Sequence, residues 1–400
     1  MPQLYLDNNA TTPIDPRVIE VMAACYAAQH ANPASLHQSG QRARLVLEQA
    51  RDGIARLVAA DISGVHADRV IFTSGGTEAN NLALLGLAGT KRGRVIVSAI
   101  EHPSVLGAAE ELVRRGCDVR RIRVTSDGVV DVKQFAELLT TDTQLVSVML
   151  GNHETGVLQP LAEIAALCRD REVPFHTDAV QVVGKLPVKF RELGVTALSL
   201  AGHKFHGPVG LGALVLRHGA TLDPQLFGGF QQMGLRPGTE PLALAVGMHR
   251  ALELWHNEAD ARRLRLTQLR DDFESAILAA MPTAIVNGGA APRLPHTSNL
   301  SFVGLERQSL FMALDLAGVA CATGSACASG SSEPSPVLTA MGLPDARLTS
   351  ALRFSFGVTT TPGDVAEAAR RIIRVCRDLQ RREEARKSAP PPRPWTAKPV

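Results

Sequence analysis

Lys204 stands in the stretch His203-Lys204-Phe205-His206-Gly207-Pro208, between the apolar runs LSLA and LGALVL. An amine at the end of a buried strand can add to a carbonyl held there. Other chemistry-bearing residues also follow apolar runs. Gly75-Gly76-Thr77-Glu78 follows VIFTS, and Glu101-His102 follows RVIVSAI. Gly151-Asn152-His153-Glu154 follows LVSVML, and Asp178 with Gln181 follows VPFHT. The two glycines let backbone approach a ligand, and the N–H groups of a helix start favour an anion such as phosphate. Each residue alone has a plainer reading: Thr77 as the cap of a tight turn, His102 as a surface cap, Asp178 as the cap of the next helix. His153, Glu154, His176 and Asp178 are of metal-ligating types, but they lack H-E-x-x-H or similar spacing, and no metal is expected. Together, a phosphate cup, a ring-sized histidine, a carboxylate and a strand-end lysine are what pyridoxal 5'-phosphate requires. Lys204 is expected to join its aldehyde, and Asp178 to keep its pyridine nitrogen protonated.

Such residues must be carried by strand ends, and the chain supplies them. RVIFTS, RVIVSAI, DVRRIRV, LVSVML, VPFHTDA, ALSLAG and GALVLR read as strands, most of them separated by helical patterns. That alternation predicts an α/β fold with a mostly parallel seven-stranded sheet, covered by helices on both faces. In such sheets ligands gather beyond the carboxyl ends of the strands, where these residues lie. A long helical tract is expected from Pro241 to about Met281. Beyond it, NLSFVG, GVACAT and LRFSFG predict a smaller mixed α+β unit closed by the helix GDVAEAARRIIRVCRDLQRR. The boundary is placed near Asn257. The large domain is expected over 15–257, the small one over 1–14 with 258–385, and a proline-rich disordered tail over 388–400.

The 42 basic and 39 acidic residues nearly balance. No nucleic acid and no membrane surface is expected as the main partner. No apolar run approaches the roughly 20 residues that span a bilayer, and MPQLYLDNNATT lacks a signal pattern, so a cytoplasmic protein is expected. None of the six cysteines forms a C-x-x-C pair. Cys168 and Cys376 read as buried on helical faces.

The stretches LDNNATTPIDP, NPASLHQSG, FTSGGTEANN, EHPSV, NHETGVLQP, HTDAVQVVGK, GHKFHGPVGLGALVLR, GGFQQMGLRPGTE and ATGSACASGSSEPSPVL occur in one order. On them the chain resembles class I cysteine desulfurases, which are fold-type I, aminotransferase class V-like pyridoxal-phosphate enzymes. The resemblance implies that Gly76, Thr77 and His203 hold the phosphate and that His102 stacks on the ring. It implies that Asp178 pairs with the ring nitrogen, and that Gln181 and the residue at 153 lie near the phenolate oxygen. Thr239 would reach the phosphate in a neighbouring subunit, which makes the protein a homodimer. Arg353 would bind the carboxylate of L-cysteine, for which a guanidinium fork is suited. Cys327 would accept the sulfur as a persulfide and pass it to an acceptor protein, such as an iron–sulfur scaffold or a tRNA-thiolation protein. Cys321 is the rival thiol, read as buried at the end of LAGVACA. The small-residue composition around Cys327 suits a loop that moves.

Three positions depart from the family pattern. Ala201 replaces a serine before Gly-His-Lys, His153 replaces the second Asn of Asn-Asn-Glu, and Gly357-Val358 stands where Gly-Arg is common. A histidine at 153 brings a group that ordinarily titrates within the physiological range, so a pH-dependent contribution between about pH 6 and 8 is expected from it. Ala201, Pro237 and PSPVL keep selenocysteine lyase as the alternative enzyme. A cofactor-poor scaffold for sulfur-transfer proteins is the alternative from another class.

Overall fold

The computed structural model describes residues 3–90, 92–324 and 333–388. Cys327 and the tail from 389 onward lie outside the described residues. Ser388 is the last residue of the helix Pro362–Ser388.

The seven strands form one sheet in the order Arg69–Thr73, Gly212–Leu216, Ala197–Ala201, Phe175–Asp178, Thr143–Ser147, Arg94–Ser98, Asp118–Ile122. Gly212–Leu216 runs antiparallel to both neighbours, and the remaining pairs are parallel. Side chains alternate across the sheet, and both faces are apolar. Val70, Phe72, Ile96, Val146, Phe175 and Leu198 enter one core, while Ile71, Val95, Val97, Leu145 and Leu214 enter the other. Burial on both faces explains why these strands read as continuous apolar runs, except the edge strand Asp118–Ile122, whose Arg120 and Arg121 are exposed.

Local chemistry sets the helix starts that flank the site. The helix Pro103–Arg114 begins where Pro103 fixes the first turn and the His102 ring accepts from the Ser104 N–H. The helix Gly76–Ala88 is apolar almost all round, as expected of a helix packed between a sheet and another helix.

The smaller unit has an antiparallel sheet in which Thr297–Phe302 lies between Ala284–Val286 and Ala351–Ser355. Here the expectation needs correcting. The run GVACAT does not join this sheet as a strand. Val319–Ala320 pairs in parallel with Leu4–Tyr5, and only an isolated bridge links Ala322 to Arg353. Phe273, Phe302, Phe354 and Phe356 form the aromatic centre of this core, which also takes in Leu4 and Leu6. The tract from Pro241 to Met281 is two helices, Leu242–Asn257 and Ala259–Ala280, that meet at Glu258. The Glu258 carboxylate is clamped there by Arg17 and Arg262 at 2.9 and 2.8 Å.

No helix among the described residues is long and apolar enough to cross a membrane.

Candidate active site

The carboxyl ends of five strands converge on a cavity of about 200 Å³. Gly76, Thr77, His102, His153, Asp178, Gln181, His203 and Lys204 all line it, with Asn80, Ser104 and Ala201 beside them. Arg353 lies just behind this wall, its Nη1 donating to the His153 carbonyl at 2.9 Å. Thr239 does not line the cavity of its own chain. It is exposed, in the segment before the helix Leu242–Asn257.

The cup at Gly76 is tight. A Cβ there would come within 2.8 Å of Val180 Cγ2, so backbone occupies space that a side chain would fill. Gly75, not Thr77, is the cap of this helix, and it makes no side-chain cap bond. The hydroxyl-bearing Thr77 therefore sits inside the first turn, facing the cavity.

Asp178 is held from two sides. Asn80 Nδ2 donates to Oδ2 at 2.7 Å, and the Val180 N–H donates to Oδ1 at 2.9 Å. The chain beyond Asp178 forms a set of turns rather than a helix, so its capping role is local. Asn80 also donates to Ser104 Oγ. The Ser104 N–H donates to His102 Nδ1 at 3.1 Å, which leaves the proton of a neutral His102 ring on Nε2. The two plainer readings thus coincide with the functional ones: His102 caps a helix and lines the cavity, and Asp178 organises a turn and faces it.

Lys204 Nζ donates to the carbonyls of Asn9 and Ala10 at 2.6 and 2.8 Å. Gln181 Nε2 donates to the same Asn9 carbonyl at 3.0 Å. Burial, and then the Arg353 charge, bring the Lys204 amine down to about 8, although Asp178 and Asp7 pull the other way. A neutral, nucleophilic fraction is therefore present near pH 8. Burial together with Lys204 and Lys185 takes His203 down to about 4. His102 is also lowered, by burial first, with Asp178 opposing.

His153 is fully enclosed. Its ring meets the His102 ring edge-on, with centroids 5.2 Å apart. Burial, His102, Arg353 and Lys204 all hold it well below the usual histidine range. The expected titration of His153 between pH 6 and 8 is therefore corrected: burial and the neighbouring His102, Arg353 and Lys204 hold the ring neutral there, although Glu154 Oε1 lies 3.6 Å from its Nε2. His176, one of the four residues of metal-ligating type, sits between the hydroxyls of Ser147 and Ser199 at 2.9 and 3.0 Å.

Several buried polar atoms at or beside the cavity have no hydrogen-bond partner among the described residues: both ring nitrogens of His153, Gln181 Oε1 and Arg353 Nε. Such atoms are costly unless something else satisfies them. A flat ligand bearing an anion, a basic nitrogen and several oxygens would answer them.

Sequence reasoning assigned no role to Asp7, Asn9, Asn80 or Glu101. Asp7 pairs with Arg353 at 2.7 Å. Asn80 lies one helical turn beyond Gly76, and that i, i+4 spacing was the available signal. For Glu101 the sequence offered only its place after RVIVSAI, because its character comes from enclosure. Its Oε1 accepts from Ser98 Oγ and the Met149 N–H at 2.5 and 2.8 Å. Burial, aided by Asp178, pushes its carboxyl up to about 8 from an ordinary 4.5. The folded protein thus keeps this proton while the unfolded chain loses it. The stabilising contribution is complete below pH 4.5 and is lost as pH rises towards 8, by at most about 1.4 kcal/mol per pH unit. Glu101→Gln keeps the acceptor and removes the titration. Thermal melts should show the variant gaining on the parent between pH 5 and 7.5, and a constant gap would show that Glu101 is ionised in the fold.

Residues 4–367 match the family model for aminotransferase class V. The chain is 38% identical to the cysteine desulfurase NifS of Azotobacter vinelandii, over 95% of this chain and 94% of that one. Among solved structures, a NifS-like protein superposes with a TM-score of 0.86 at 32% identity, covering 94% of this chain and all of the other. SspA in complex with cysteine superposes with a TM-score of 0.77, also at 32% identity, covering 89% of this chain and 99% of the other. The chain belongs to the aminotransferase class V family, within the group formed by the NifS-type cysteine desulfurases.

Proposed function

We propose that the protein converts L-cysteine to L-alanine, with pyridoxal 5'-phosphate held on Lys204 and the sulfur received by Cys327. The observation that carries this reading is Lys204 lining the same cavity as the doubly held Asp178 and the tight Gly76 cup. In this reading Gly76, Thr77 and His203 take the phosphate, Asp178 the pyridine nitrogen, and Gln181 and His153 the phenolate side. When bound, the cofactor supplies an aldehyde that takes up amines and a ring that makes the substrate α-carbon acidic.

The chain's own groups do the rest. Arg353 retains Nε for the substrate carboxylate, while Nη1 and Nη2 are anchored on the His153 carbonyl and Asp7. Lys204 Nζ, neutral in part, takes the proton from the substrate α-carbon. His102, with its Nε2 proton, is suited to move a proton at the substrate sulfur. The Cys327 thiolate bonds to that sulfur as the carbon–sulfur bond breaks. The electron pair stays with the β-carbon, which takes up a proton, and the proton returned to the α-carbon completes alanine, while Cys327 keeps the sulfur as a persulfide. An acceptor protein such as an iron–sulfur scaffold then removes it.

The homodimer reading is supported by the segment that leads to Thr239. Phe227 and Phe230 are 87% and 83% exposed there, with Met233 close by in sequence, and apolar groups so exposed mark contact surfaces. Sedimentation should give a dimer.

The deciding experiment supplies the purified protein with L-cysteine or L-selenocysteine and measures alanine. Faster turnover of cysteine supports the proposal. A preference of several orders for selenocysteine supports the lyase, and a colourless, inert protein supports the scaffold.

His153→Asn is expected to stay within about tenfold of the parent, a barrier change of roughly 1.4 kcal/mol. Because the buried ring is neutral, the pH–rate profiles should superimpose between pH 6 and 8. A limb that disappears in the variant would show that His153 does gain a proton there.

A further inference from the structure

Lys185, from the motif HTDAVQVVGK, takes part in none of the catalytic steps. It is 3% exposed, and its Nζ donates to the Lys204 main-chain carbonyl at 2.6 Å. The backbone is shaped for this contact. Gly184, just before it, has φ +72° and lies against Phe205, where a Cβ would meet that side chain at 2.3 Å. The turn carrying Lys185 is therefore packed directly onto the turn carrying Lys204.

Most of the surroundings are cationic or neutral, with Asp15 acting on His206 as the exception. Lys204 acts on Lys185, and Lys185 in turn acts on His203, His206 and His296. His206 is engaged by the Pro13 carbonyl and the Val358 N–H, and is taken down to about 4. His296 is enclosed, and neither ring nitrogen has a hydrogen-bond partner among the described residues. Among the described residues no carboxylate acts on Lys185, and burial with Lys204 brings its amine down to about 7.

We propose that Lys185 is a positioning residue for Lys204: it grips the Lys204 main-chain carbonyl from behind and fixes the turn that carries it, so that the Lys204 amine works from a fixed place. This rests on the reading of Lys204 as the anchoring and proton-moving group.

The test uses the holoenzyme of the parent and of Lys185→Met, Lys185→Gln and Lys185→Arg. Met removes the donor that grips the carbonyl, whereas Gln and Arg each keep one. Losing the grip lets the Lys204 amine shift relative to Arg353 and Asp178, which act on it. The pH midpoint of the bound cofactor's absorbance should move by about half a unit or more in Met and stay near parental in Gln and Arg. Turnover should fall about tenfold in Met with KM changing less, because the substrate contacts are untouched. If Met does not fold, Lys185→Ala carries the measurement. A parental midpoint in the variant without a donor would overturn the proposal, including the case in which only the melting temperature falls, which is the mark of a purely structural lysine. A parent without cofactor absorbance would instead overturn the reading of the site. Acetylation of Lys204 against pH, read by peptide mass spectrometry, then still reports the midpoint of its amine, with the same shifts expected and the same absence of shift decisive.

Discussion

Lys204→Ala protein is expected to fold, to lose cofactor on dialysis and to turn over cysteine at least about 1,000-fold more slowly, a barrier rise of roughly 4 kcal/mol. Two losses combine: the covalent anchor and the group placed to move the α-proton. The fold should survive, because the carbonyls of Asn9 and Ala10 that hold the ammonium are left beside a cavity that water can enter. Borohydride treatment of the parent should fix the cofactor to the peptide containing Lys204, and the variant should take no label. Lys185 is the instructive control. It is another buried lysine close by, also lowered towards neutrality, but its Nζ points to the Lys204 carbonyl. A label on Lys185, or unchanged retention of cofactor by Lys204→Ala, would show that the wrong lysine was chosen.

The strand ends were the legible part of this molecule. Apart from the edge strand Asp118–Ile122, with its exposed arginines, each strand is a short, largely buried run, so the sheet announced itself as apolar segments, and the residues after five of them could be read as facing a common ligand. Eight of them line one cavity. Hidden from such reading were features made by distant chain. Lys204 and Gln181 meet the Asn9 carbonyl, and a main-chain oxygen leaves no mark in a residue pattern. Protonation was hidden for the same reason. Glu101 and His153 are driven in opposite directions on the pH scale by one cause, enclosure, which favours the neutral form of both. The mispairing of GVACAT has a related origin. A two-residue strand carries almost no periodicity, and the N-terminal Leu4–Tyr5 competes for it.

Cys327→Ala is expected to retain cofactor and bind cysteine while sulfur release falls below detection, and Cys321→Ala to stay within a few-fold of the parent. The structure separates the two thiols through what surrounds Cys321. That residue is 7% exposed and packs in the small-unit core with Leu4, Phe354 and Phe356, so its sulfur is committed to packing. Cys327 itself lies outside the described residues, and the assignment to it rests on the family pattern and on the residues at either side. Gly324, at φ +98°, is pressed against Glu154, where a Cβ would meet Oε2 at 2.7 Å. Ser335 Oγ donates to that same oxygen at 2.5 Å. One buried carboxylate, adjacent in sequence to His153, thus meets both Gly324 and Ser335, described residues on either side of 325–332. A nucleophile at 321 would have to leave a packed core. Mass spectrometry of the cysteine-treated protein should find the added sulfur on the peptide containing Cys327 and none on Cys321. Loss of sulfur release in Cys321→Ala with retention in Cys327→Ala would reverse the assignment. Loss in both would mean that the sulfur passes between the two thiols.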